Sequence, residues 1–229
     1  MKRREKSKEE KSLKEKLLFF FFPPKCAVCQ RAGYENLCPD CREKMEEAFH
    51  AKKFLSYGGN GFVDEMISLF PYENRCVRRL LFDWKQNDYR DLHEIFGGFS
   101  HRAIERLHLA EKVDLVTFLP RRASARRKAG FDQARCLAEE IARREQLPFE
   151  ALLKRRGLSR PQHHLSGEQR EKNVAGRFTA TRALLGETIL LVDDIVTSGA
   201  SAREGARVLK RAGAMKVIVF SLAHPDLGE

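Results

Sequence analysis

The sequence has no long apolar run. The stretch from Leu17 to Phe22 is six residues long, where a membrane-spanning helix needs about 18 or more. Pro23-Pro24-Lys25 follows it. A secretory signal would show a longer apolar region, about 7–15 residues, and a small-residue cleavage site. The expectation is therefore no membrane span, no export signal and a cytoplasmic location. There is no surplus of acid: Asp and Glu total 32 against 43 Lys and Arg, a net charge of +11 and a pI near 9.5. That balance favours polyanionic or phosphorylated partners and says nothing about fold. The composition does not suit a disordered chain, because 42% of residues are apolar and 16 are Phe. No internal repeat is visible. The 229 residues suffice for one domain with a real core and a small appendage.

What is present begins with a basic head. Residues 1–16 carry eight basic side chains and four acidic ones. The apolar residues 17–22 read as a short helix end packing on the body, in preference to a membrane-surface foot. Next come Cys26-Ala-Val-Cys29 and Cys38-Pro-Asp-Cys41. Each pair sits on a tight turn able to aim two thiolates at one ion, and two turns complete the tetrahedral sulfur shell that zinc prefers. In a reducing compartment this spacing reads as metal before disulfide, and a redox CxxC would not need two copies. Four thiolates leave no open coordination position, so the zinc expected on Cys26, Cys29, Cys38 and Cys41 is structural. It would hold together a segment too short for its own core. Cys136 reads as core.

Residues 42–70 are less legible, with Tyr57-Gly-Gly-Asn-Gly61 marking a turn or a seam. Helical spacing starts at Cys76, with Leu80, Leu81 and Trp84 on one side. A second helix is expected over 89–109, interrupted at Gly97-Gly98. Residues 113–119 read as a strand ending at Pro120. Ala134, Leu137, Ala138, Ile141 and Ala142 mark a helix face. Residues 149–153 suggest a strand, 188–192 a buried strand, 202–212 a helix stopped by Gly213, and 216–222 another strand. Strands alternating with helices imply an α/β fold, a parallel sheet flanked by helices.

The most informative string is Ile189-Leu-Leu-Val-Asp-Asp-Ile-Val-Thr-Ser-Gly-Ala-Ser201. An apolar strand runs into two carboxylates, then a small hydroxyl-rich loop, then a helix. Open α/β sheets place ligands at this end of a parallel strand. Backbone N–H groups of Thr197, Ser198, Gly199, Ala200 and Ser201 can converge on a phosphate at the helix start. Asp193 and Asp194 suit sugar hydroxyls or a hydrated Mg²⁺. A plain turn would not require adjacent carboxylates, which repel each other. The string resembles the 5-phosphoribosyl pyrophosphate (PRPP) loop of type I phosphoribosyltransferases. The resemblance implies that the paired acids hold the ribose 2- and 3-hydroxyls and that the loop cradles the 5-phosphate.

The flanks narrow the likeness. Pro120, the basic residues Arg121, Arg122, Arg126, Arg127 and Lys128, and Gly130-Phe-Asp-Gln-Ala134 resemble a block of the ComF family, which has GntX-like relatives. So do Pro161-Gln162, Leu165, Arg170, Asn173-Val174 and Phe178, the segment Trp84-Lys85 with Asp88, and a four-cysteine cluster just after a Phe-Pro step. There are departures. Asp132 stands for the usual Asn, Ala129 for Arg, Phe118 for a second Pro and Ser159 for Thr. They bear on the pyrophosphate side more than on the 5-phosphate loop. Thr197 replaces the extra acid of purine-salvage members, which argues against ordinary 6-oxopurine salvage. The likeness implies a type I phosphoribosyltransferase-like domain and a link to uptake of single-stranded DNA in competent bacteria. The basic stretch 155–177 reads as the mobile flap such enzymes close over pyrophosphate, or as a surface for a DNA backbone.

The resulting expectation has three parts: a tail over 1–22, a zinc module over 23–60 and a phosphoribosyltransferase-like domain over 61–229. As an enzyme it would transfer a pentosyl group from Mg²⁺·PRPP to a nitrogen nucleophile. Asp193 and Asp194 would position the ribose, and Arg121, Arg122 and Arg156 would neutralise the leaving pyrophosphate. As a binding module it would hold single-stranded DNA beside a helicase-like partner of DNA uptake.

Overall fold

The computed structural model describes residues 23–34, 36–55, 61–86, 92–121, 131–156 and 176–225. The tail over 1–22, Arg122, most of the glycine turn at 57–61 and the basic stretch 157–175 lie outside them. By contacts the chain divides into two compact units, Met1–Glu47 and Ala48–Glu229.

The first unit is built on turns. An isolated bridge joins Lys25 to Ala32, and the helix α1 (Pro39–Glu47) begins inside the second cysteine pair. Pro39 suits a first helical position, where no N–H is required. Asp40 lies in the first turn, where an acid favours the helix dipole, and it pairs with Arg31 at 3.0 Å.

The second unit is a five-stranded sheet in the order β1-β2-β7-β6-β3. Its strands are β1 (Lys52–Leu55), β2 (Glu65–Pro71), β3 (Leu115–Phe118), β6 (Thr188–Ile195) and β7 (Lys216–His224). β2, β7, β6 and β3 are parallel, and only β1 is antiparallel to its neighbour. The α/β class with a parallel sheet holds, with one antiparallel edge strand added. Lys52 and Lys53 on that edge discourage further strand pairing. The helices are α2 (Arg75–Gln86), α3 (Leu92–Arg106), α4 (Gln133–Glu145) and α5 (Ala200–Arg211). A hairpin of β4 (Leu153–Arg155) and β5 (Phe178–Ala180) stands apart from the main sheet. Under α5 the core joins Met66, Leu191, Val217 and Val219 to Ala202, Ala206 and Leu209.

Two expectations need correction. Gly97-Gly98 does not interrupt α3. A Cβ on Gly97 would lie 2.5 Å from Glu140 Cγ, so the glycine allows α3 and α4 to meet closely. The strand expected over 149–153 forms only a bridge, Val116 to Phe149, and pairing proper starts at Leu153.

Candidate functional site

The cysteine site comes first in the chain. The four Sγ atoms of Cys26, Cys29, Cys38 and Cys41 lie within 4.8 Å of one another, with Cys29 and Cys38 3.6 Å apart. A tetrahedral zinc with Zn–S bonds of about 2.3 Å needs sulfurs about 3.8 Å apart, so the donors fit the ion. The turns are set by the backbone. Cys26 N–H donates to Arg31 O at 2.9 Å, Gln30 N–H to Cys26 O at 2.9 Å, and Ala27 N–H to Asn36 O at 2.7 Å. Burial pushes the Cys26 thiol up, but the N–H groups of Cys29, Cys38 and Val28 outweigh it and bring it to about 7. Burial and the neighbouring sulfurs of Cys38, Cys29 and Cys26 push the Cys41 thiol up. One sulfur is ready to ionise and another resists, until a cation offsets their mutual repulsion.

The acid pair sits near the carboxyl end of β6, an interior strand between β7 and β3. The strand was expected to stop at Val192, yet it continues through both aspartates to Ile195. Asp193 is still registered against Ser221 of β7, and Val196 N–H still donates to Ala223 O at 3.1 Å. Since side chains alternate along a strand, the two carboxylates diverge to opposite faces. Asp193 is half-buried and accepts the Asp194 N–H at 2.9 Å. Asp194 is buried, accepts the Ile195 N–H at 2.9 Å and lies 3.5 Å from the Arg121 guanidinium. The repulsion expected between neighbours is thus reduced by separation and, at Asp194, by an arginine.

Arg121 follows β3 and is held at both ends by the start of α4. Its backbone N–H donates to Asp132 Oδ2 at 3.2 Å, and its guanidinium donates to Gln133 Oε1. Gln133 is fully buried and donates in turn to the Trp84 carbonyl at 3.4 Å. Burial pushes the Asp132 carboxyl above its ordinary value. The Arg121 N–H offsets part of this, and the Asp194 charge adds to it. Asp132 and Gln133 were read only as part of a sequence block. What draws them to the site is the return of α4 to the end of β3, which no local pattern announces.

The loop after β6 exposes Thr197 and Ser198 and buries Gly199 and Ala200. Gly199 caps α5 with φ 69°, the left-handed region a glycine enters without strain. Among the described residues no side chain caps this helix, and its first turn holds no acid, so its leading N–H groups and positive dipole end face the loop. Ser201 is half-buried in the first turn. Arg203 donates to the Ser198 carbonyl at 2.9 Å.

Arg156 is exposed at the end of β4, and its backbone N–H donates to Arg177 O at 2.8 Å. Its neighbour Arg155 reaches the Pro120 carbonyl at 3.2 Å and lies 5.2 Å above the Phe178 ring. The buried Glu204 of α5 accepts the Gly176 N–H at 2.7 Å. Arg121 and Asp194 are therefore brought together with Asp132 and Gln133, while Arg122 lies outside the described residues.

The family described as "Double zinc ribbon domain" matches residues 17–53, and "Phosphoribosyl transferase domain" matches residues 131–226. The chain is 29% identical to the DNA utilization protein YhgH of Salmonella typhimurium, over 87% of this chain and 89% of that one. It is 32% identical to YhgH of Escherichia coli K12 over 52% of this chain, and the match spans about half, 51%, of that relative. It is 25% identical to the competence protein ComFC of Streptococcus pneumoniae, over 87% of each.

Proposed function

We propose that the chain is a ComF-like protein of the phosphoribosyltransferase fold with a four-cysteine structural zinc site, and that it binds PRPP or a related 5-phosphoribosyl ligand at the β6–α5 loop. The observation that carries the reading is the order of parts. Two carboxylates near the end of an interior parallel strand are followed, after Ile195 and a short loop, by a glycine-opened helix whose N–H groups face the loop. Thr197, Ser198, Gly199, Ala200 and Ser201 would hold the 5-phosphate. Asp193 and Asp194 would accept from the ribose 2- and 3-hydroxyls. Their hard oxygen donors also suit Mg²⁺, which would neutralise the pyrophosphate of a bound PRPP.

Arg121 has a second task in this reading. It balances the Asp194 charge in the ligand-free site, and a bound ligand would take over that balance. Arg121, Arg122 and Arg156 would then face the pyrophosphate. Turnover would let a nitrogen lone pair form the bond to the anomeric carbon, while the C–O electron pair leaves with pyrophosphate through an oxocarbenium-like transition state. A closed flap would exclude water from that step.

A second reading is favoured by the basic surplus and by relatives named for DNA utilization and competence. Here the same fold serves single-stranded DNA uptake in the cytoplasm, beside a helicase-like partner. Calorimetry of the full chain with PRPP, with and without Mg²⁺, and with a single-stranded oligonucleotide separates the two. PRPP affinity that requires Mg²⁺ and changes little with salt supports the first. Oligonucleotide affinity that falls steeply with salt, with no PRPP binding, replaces it with the second.

A further inference from the structure

Several arginines of this chain end on carboxylates. Arg79, Arg143, Arg182 and Arg207 each donate to an Asp or Glu at 2.6–3.1 Å. Arg121 ends differently. Its Nη1 donates to Gln133 Oε1, a neutral acceptor, while the Asp194 carboxylate stays 3.5 Å from its Nη2. That is longer than a charge-assisted hydrogen bond, about 2.7–2.9 Å. Asp132 meets the Arg121 backbone N–H. The Arg121 side chain keeps 22% of its surface exposed.

Gln133 is fully buried, and burying an amide is costly unless it is hydrogen-bonded. Both of its ends are used. Oε1 accepts from Arg121, and Nε2 donates to the Trp84 carbonyl at 3.4 Å. A guanidinium only donates and a carbonyl only accepts, so these partners leave the amide one orientation. Trp84 is itself fully buried, with the Phe96 and Phe131 rings 5.0 and 6.3 Å away, so the anchor rests on packed aromatics. A Leu here would fill the space and release Arg121. A Glu would hold Arg121 but cancel its charge and set an acceptor against the Trp84 carbonyl.

We propose that Gln133 is a positioning residue, a neutral anchor that fixes the Arg121 guanidinium beside Asp194 and leaves its charge for an arriving anion. The proposal rests on the reading in which Arg121 faces the pyrophosphate of a 5-phosphoribosyl ligand. The guanidinium exchanges Asp194 for the anion on its Nη2 side and keeps Gln133 on its Nη1 side. Being held already, it loses little further freedom when the ligand binds.

The test is calorimetry of the full chain with Mg²⁺·PRPP and with inorganic pyrophosphate. It compares the parent with Gln133→Glu, Gln133→Met, Arg121→Ala and the double change Arg121→Ala with Gln133→Met. Gln133→Glu and Gln133→Met should each weaken both ligands about tenfold or more, the loss of a charge-assisted bond. Gln133→Met should cost no further affinity once Arg121 is replaced, although it lowers the urea midpoint in both backgrounds. Additive affinity losses would assign Gln133 to the fold alone and overturn the proposal. Gln133→Glu binding like the parent would overturn it too, because the neutrality of the anchor would then be immaterial. The guanidinium NMR signals of Arg121 need no variant, and they decide together with Gln133→Glu if Gln133→Met fails to fold. In the ligand-free parent they should be resolved and should move with ligand, and signals averaged by rotation would show that Arg121 is not pinned. If Mg²⁺·PRPP fails to bind the parent while pyrophosphate binds and responds to Gln133→Glu, the phosphoribosyl reading falls and the positioning role stands. If Arg121→Ala binds both ligands like the parent, the positioning role falls and the loop assignment stands. Binding of neither ligand overturns both.

Discussion

The cysteine unit and the sheet unit solve the same problem, holding reactive groups close together, by opposite means. In the first, turns bring four sulfurs within 4.8 Å, and their repulsion calls for a cation to complete the arrangement. In the second, two carboxylates are placed by strand register and separated onto opposite faces before any ligand arrives. One site borrows its stability from what it binds. The other is supported by the core of its sheet and helices.

Removing the metal should break the comparison most severely. Structural zinc sites contribute apparent binding energies of about 10–16 kcal/mol. Chelation, or Cys41→Ser, should therefore abolish amide protection over residues 23–47 while the β2, β6 and β7 amides stay protected. Hydrogen exchange with metal analysis reads both, and a protected first unit without zinc would refute the structural role. The converse change is Leu191→Ala, at a fully buried position of β6. It should cost about 2–5 kcal/mol in urea unfolding of the sheet unit and leave one zinc per chain.

The two acids sharpen the contrast within the sheet unit. Asp193→Asn should leave stability unchanged. Asp194→Asn should cost about 1–3 kcal/mol, because Arg121 loses its carboxylate. Either change should weaken Mg²⁺-dependent PRPP binding by roughly 1.5–3 kcal/mol per charged hydrogen bond lost, read by calorimetry. Equal stability effects of the two would contradict the division between faces.

The smallest effects concern pH. Burial raises the Glu65 carboxyl, but Lys216 and Lys53 outweigh it and hold it below its ordinary value. Glu140 is held down in the same way by Arg143 and Arg144, and Glu204 by Arg207. Their stabilisation is full above the ordinary carboxylate value and is lost as pH falls through the depressed folded values. Asp132 has the opposite sign. Its folded value is raised, so its ionisation costs stability as pH rises through the window above the ordinary carboxylate range. Asp132→Asn should remove that term and make the protein slightly more stable near neutral pH. Urea midpoints measured against pH for parent and variant decide it.

Much of this was legible in the residues because it is local. The cysteine spacing, the apolar run into Asp193-Asp194 and the helical stripe after Gly199 each depend on neighbours in sequence. The rest depends on partners far away. β2 was missed because it is buried on both faces, which erases the alternation that marks a strand, and because Glu65 and Ser68 interrupt its apolar run. Glu65 is tolerated there only because Lys53 and Lys216 arrive from β1 and β7 at 2.7 and 2.6 Å. The fixing of Arg121 by Asp132 and Gln133 is likewise a product of topology, since α4 returns its first turn to the end of β3. Gly97-Gly98 looked like a break because its reason, the side chain of Glu140, lies on another helix.

The pairing of Arg156 with Arg177 gives the β4–β5 hairpin the character of a gate. That pair stands near Pro120, whose carbonyl Arg155 reaches, and near Glu204, which accepts the Gly176 N–H. Closing a loop across fixed ends costs only about 0.6 kcal/mol more for each doubling of its length. The hairpin fixes those ends by three registered pairs and by the Arg156–Arg177 bond, so a change of length between them is expected to leave β6 and the acid pair in place.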